Sequence, residues 1–135
     1  MFYNVLHILG SLNIGGPQIA LLNLLKQSDR TAYKHSICTF NGIGFLAPEF
    51  EKIGVNIINL QKSRNKKFDW MLIRKLKAHM KDRNVHILRT YNDKSGFYGR
   101  IAGKISGVPV IIASFHGRHI YVKKMVALQV RETGE

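Results

Sequence analysis

Five short apolar runs recur along this chain, each followed by helical spacing or by residues that open or close a turn. The runs are Tyr3 to Leu9, Lys34 to Phe40, Val55 to Leu60, Val85 to Thr90 and Val110 to Ser114. They are close to continuous in hydrophobicity, the pattern of strands buried on both faces. Between them, Pro17 to Ser28 carries Ile19, Leu22 and Leu25 at helical spacing, and Leu46 to Ile53 reads as a short helix closed by Gly54. A longer helix is expected from about Asp69, a suitable N-cap, to Arg83, with Leu72, Leu76 and Met80 on one face and Arg74, Lys77 and Lys81 on another. Ser95 to Ser106 follows with the small residues Gly96, Gly99, Ala102 and Gly103, and Gly107 and Pro109 stop it. Such alternation predicts an α/β domain: a parallel sheet with helices on both faces.

In sheets of this kind, ligands bind beyond the carboxyl ends of the strands, where the strand order reverses. With the first strand central, the loops at that point are Gly10 to Gly16 and Tyr91 to Lys94, with Phe115 to Arg118 beside them. Gly15, Gly16, Asn92, Lys94 and His116 then surround one crevice. The first loop runs from a strand into a helix through Ile14-Gly15-Gly16-Pro17. Glycine permits close backbone approach, and the first amides of a helix favour an anion such as phosphate. Pro17 suits the first helical turn, where a missing N–H costs nothing. The spacing is neither G-x-G-x-x-G nor a P-loop. On these residues alone, an anion site and an ordinary strand-to-helix turn both stand.

At 135 residues the chain has room for one domain with a real core. Its longest apolar stretches, such as Val108 to Ala113, fall far short of the roughly 20 residues of a membrane span. The N-terminus lacks the basic region of a signal peptide, so none is expected. A single cysteine, Cys38, excludes an internal disulfide framework and fits a reducing cytosol; inside a strand it reads as a small buried hydrophobe. The charge is lopsided: 21 Lys and Arg against 8 Asp and Glu give a formal +13. Nine of the bases lie between Lys62 and Arg83 with only Asp69 and Asp82 among them. Such an excess bears on polyanionic partners rather than on fold.

Three motifs occur in order: Leu6-His7-Ile8-Leu9-Gly10-Ser11-Leu12-Asn13-Ile14-Gly15-Gly16-Pro17-Gln18, then Leu88-Arg89-Thr90-Tyr91-Asn92-Asp93-Lys94-Ser95-Gly96, then Ile112-Ala113-Ser114-Phe115-His116-Gly117. As a set, over residues 1–117, they resemble the N-terminal, Rossmann-like lobe of retaining GT-B glycosyltransferases of the family four type. The resemblance implies transfer of a sugar from a nucleotide-sugar donor to a glycan or lipid-linked acceptor. Gly15 and Gly16 would face the donor diphosphate, His116 would be the catalytic histidine, and Asn13, Tyr91, Asn92 and Lys94 would line the acceptor crevice. The chain differs from many relatives at Arg89 and Tyr91, where these carry histidines. The Arg/Lys pair and Glu-x7-Glu motif of the family's second, nucleotide-holding domain do not occur in these 135 residues. The resemblance therefore implies a truncated or partial enzyme, with residues 118–135 an incomplete continuation of the lobe carrying a helical pattern at Met125 and Leu128. A separate C-terminal half or a homodimer would be its partner.

The remaining chemistry is sparse. His7, His35, His79, His86 and His119 show no metal-ligand spacing with one another or with Cys38, so no metal cofactor is expected. The scattered carboxylates suggest no glycosidase pair, and no nucleophile elbow occurs. The bases Lys62, Arg64, Lys66, Lys67, Arg74, Lys77 and Lys81 read either as a solvated face or as a patch for anionic membrane, with Phe68, Trp70 and Met71 adding apolar contact. Nucleic acid is not expected, because no binding motif is present and the aromatics do not interleave with the bases. The implied location is cytoplasmic, peripheral at the membrane face. The competing reading is a non-catalytic basic module that binds anionic membrane or a partner subunit.

Overall fold

A computed structural model describes residues 2–60, 68–91, 93–115 and 118–121, with 93–95, 114–115 and 118–121 as backbone. The elements run β1 (Tyr3–Leu9), α1 (Gly16–Gln27), β2 (Tyr33–Thr39), α2 (Ala47–Lys52), β3 (Asn56–Asn59), α3 (Trp70–Asp82), β4 (Ile87–Thr90), α4 (Asp93–Ser106), β5 (Val110–Phe115) and β6 (Arg118–Tyr121). The sheet order is β3-β2-β1-β4-β5-β6. Strands β1 to β5 are all parallel, with His7 level with Ile37 on one side and with Arg89 on the other. The order reverses at β1, so the carboxyl edge between β1 and β4 is the topological switch point.

Alternation along β1 divides the core. Leu6 and Ile8 point to one face, where they meet Cys38, Leu88 and Ile111 and the apolar sides of α3 and α4 through Leu72, Leu76, Met80, Tyr98 and Ala102. Leu9 and Ile37 point to the other, against Leu21, Leu22 and Leu25 of α1 and Phe50 of α2. Leu6, Ile8, Ile37, Phe50 and Leu76 have essentially no exposed surface, and each such side chain contributes about 1.5–3 kcal/mol. Small residues let α4 lie close on the sheet. A Cβ at Gly99 would stand 2.6 Å from Thr90 Cγ2, and one at Gly103 2.9 Å from Ile111 Cδ1.

One expectation changes. The helical pattern read over 118–135 gives way at its start to strand β6, which pairs antiparallel with β5 from Phe115↔Arg118 to Ile112↔Tyr121. The free edge of β5 offers a row of N–H and C=O groups, and pairing satisfies them where an isolated helical turn would not. The helical positions Met125 and Leu128 lie outside the described residues.

Candidate functional site

At the switch point the β1–α1 loop is held by its neighbour, the β2–α2 loop. Leu12 N donates to Ile43 O and Leu46 N to Leu12 O, each at 2.8 Å, while Gly10 O accepts from the amides of Phe40 and Asn41. Asn13 Oδ1 accepts from Phe45 N at 3.1 Å. The expected acceptor residue Asn13 thus spends its side-chain oxygen on fixing the loop. Gly44 is the glycine this arrangement demands: its φ is +104°, and a Cβ would stand 2.4 Å from the Leu12 carbonyl carbon.

Gly15 and Gly16 differ from Gly44. Gly15 is the N-cap of α1 with extended backbone (φ −171°, ψ 164°), no side chain caps the helix, and its first turn carries no acid. Among the described residues no packing requires a glycine at Gly16, where a Cβ would meet none of their atoms within 4 Å. At Gly15 a Cβ would crowd the flexible end of Gln18, whose Nε2 donates to Ser11 O at 3.1 Å, and would just reach the Asn13 carbonyl oxygen at 4.0 Å. The result is a 12-residue helix that no side chain caps among the described residues, with its N-terminus at the carboxyl edge. Its unpaired amides and dipole favour an anion there.

Tyr91 follows β4 on the other side of the switch point, but its phenol folds back beneath the sheet. Its Oη lies 2.9 Å from Nδ1 of His7, and the Arg89 guanidinium carbon sits 4.9 Å from its ring centroid. Burial pushes the Tyr91 hydroxyl well above the ordinary tyrosine range. Lys94 is the second residue of α4 by backbone. Its side chain, Asn92 and His116 lie outside the described residues, as do Lys62, Arg64, Lys66 and Lys67.

The remaining bases of the patch are on α3. Arg74 and Lys81 are exposed and Lys77 is half-buried, below the exposed Trp70 and Met71 at the helix start. The packed neighbour α4 repeats the order, with exposed Phe97 near its start and Arg100 and Lys104 farther along. Phe68 links the two helices, 5.8 Å centroid to centroid from both Trp70 and Phe97.

Sequence reasoning passed over His7 as a strand residue. It is buried at the centre of the sheet, its Nε2 2.9 Å from Nδ1 of His35, whose own Nε2 lies 2.9 Å from Ser28 Oγ. Burial first, then the charges of His35 and Arg89, hold His7 well below the usual histidine range. Burial and Arg30 lower His35 in the same direction. The available signal was a histidine inside the apolar run Val5 to Leu9 of the central strand, with a second histidine on the neighbouring one. Cys38 is buried, and desolvation raises its thiol to about 12, so it is no nucleophile. Among the described residues no helix is long and apolar enough to cross a membrane.

A protein-family model described as glycosyl transferase 4-like matches residues 46–129, from the end of the β2–α2 loop past β6. No curated protein matches the chain.

Proposed function

The chain belongs to the glycosyl transferase 4-like family, and on that premise we propose that it forms the acceptor-side lobe of a retaining glycosyltransferase. The donor is a nucleotide sugar and the acceptor a glycan or lipid-linked sugar. The open N-terminus of α1 carries this reading. The amides of Gly16 and Gln18 stand there with no side-chain cap, and Pro17 has none to offer. Preorganised N–H groups of this kind stabilise charge that develops on a leaving diphosphate. Gly15 and Gly16 leave room for the donor, as a side chain at either position would not.

His116 is assigned the catalytic role of holding the reacting sugar or acceptor hydroxyl, since imidazole donates or accepts near neutral pH. Asn92 and Lys94 are assigned to the acceptor, and Asn13 and Tyr91 serve the crevice as loop anchors. No metal is assigned a part. A second lobe, from the same or a separate polypeptide, supplies the nucleotide pocket. The test is a titration with a UDP- or GDP-sugar followed by amide NMR. The expected result is weak binding that perturbs Gly15, Gly16 and Gln18; perturbation confined to other surfaces contradicts the assignment.

The repeated aromatic-then-basic order on α3 and α4 favours a second element. This face docks at an anionic, cytoplasmic membrane surface and brings the crevice to a lipid-linked acceptor. Each base near such a surface is worth about 1 kcal/mol, and the exposed aromatics suit the headgroup boundary. Without the transfer chemistry, the same face describes a non-catalytic membrane-binding module.

A further inference from the structure

His7, His35, Ser28 and Tyr91 form one hydrogen-bonded chain, of which the proposed transfer uses only Tyr91. It crosses three strands diagonally, from the C-cap of α1 to the loop between β4 and α4, with all three contacts at 2.9 Å. It lies on the α1 face of the sheet, beside a groove of about 450 Å3 lined by Leu24, Ser28, His35, Ile87, Arg89 and Ile112. The charged or titratable groups around the two rings are Tyr33 beside His35 on β2, Arg89 on β4 and Tyr91 just after β4. Asp29 and Arg30 follow on the turn beyond His35. Among the described residues no carboxylate is hydrogen-bonded to either ring.

Each of the three gaps takes one proton. With both rings neutral they are filled in either direction: Tyr91 donates to His7, His7 to His35 and His35 to Ser28, or every donor reverses. One added proton is also accommodated, because both end hydroxyls then accept. A second sets N–H against N–H between the rings, a contact that has to open. We propose that His7, seated by His35 and Ser28, is a positioning residue for Tyr91 at the start of the β4–α4 loop: it holds the Tyr91 phenol in place while the chain of rings carries at most one added proton. This rests on the proposed function only in taking that loop as a wall of the acceptor crevice, and its test needs no transfer.

The experiment follows amide hydrogen exchange in the intact 135-residue chain between pH 7 and pH 4.5, as protection factors. Phe97 and Tyr98 in the first turns of α4 are expected to lose at least tenfold protection on acidification, while Leu76 in α3 holds. Tyr91→Phe should show low protection at Phe97 and Tyr98 already at pH 7 and no step with pH. Constant protection in the wild type overturns the proposal, as does a wild-type step that persists in Tyr91→Phe. Should that variant not fold, ring-nitrogen NMR of the wild type decides. His7 and His35 should titrate over the interval in which Phe97 and Tyr98 lose protection, and titration in a separate interval overturns the proposal.

Discussion

Asp69 and Tyr98 tie α3 to α4: the Asp69 amide donates to Tyr98 Oη over 2.9 Å while the Asp69 carboxylate accepts from Leu72 N at 3.2 Å. One residue thereby caps a helix and locks it to its neighbour, close to the exposed aromatics of both. Asp69→Ala is expected to cost about 1 kcal/mol through the lost cap. Tyr98→Phe should cost about 1–3 kcal/mol, since it removes the acceptor of a buried amide. Urea unfolding checks both, with midpoints that fall while the slope is unchanged.

The loop glycines separate into two kinds. Gly44→Ala meets the Leu12 backbone at positive φ and should destabilise by at least about 1–3 kcal/mol. Gly16→Ala meets no atom of the described residues within 4 Å and should leave the melting temperature unchanged or slightly raised, while weakening nucleotide-sugar binding by filling the space at the α1 N-terminus. Calorimetry beside a binding titration distinguishes the two.

These residues also show what the sequence made legible. Asp69 was readable as an N-cap because its partner Leu72 is three residues away, and the strand–helix alternation was readable because burial on both faces leaves continuous apolar runs. Gly44 was not, since its constraint comes from Leu12, a contact made only after β1 and β2 pair. The partners of His7 lie 28 and 84 residues away, so no local spacing announced the chain. Strand β6 was hidden because its cause is the free edge of β5 rather than a pattern of its own.

Stability should fall with acid. Burial holds His7, His35 and His79 below the ordinary histidine value, so below about pH 6.5 the unfolded chain binds protons that the folded chain refuses. The stabilisation is complete above that value and declines as pH drops through it. Urea midpoints at pH 7.5 and 5.5 should differ in that direction, and a variant at His7 that folds should show a smaller difference.

The basic face predicts salt-sensitive adsorption. Arg74→Glu with Lys77→Glu and Lys81→Glu should reduce sedimentation with phosphatidylserine vesicles by at least tenfold and leave the melting temperature within a few degrees. Trp70 is the only tryptophan, so a blue shift of its emission on vesicles reports contact by the helix start. Unchanged sedimentation removes the face from the account.

Glycosyl transfer itself is the central claim, and a product-resolved assay tests it most directly. The chain is combined with a nucleotide-holding second lobe and offered UDP- and GDP-sugars with glycan and lipid-linked acceptors, and the anomeric configuration of the product is read by proton NMR. The account predicts a product with the donor's configuration, and its loss in Gly16→Ala and His116→Ala combinations. A product of inverted configuration, or transfer that both variants leave intact, would contradict it.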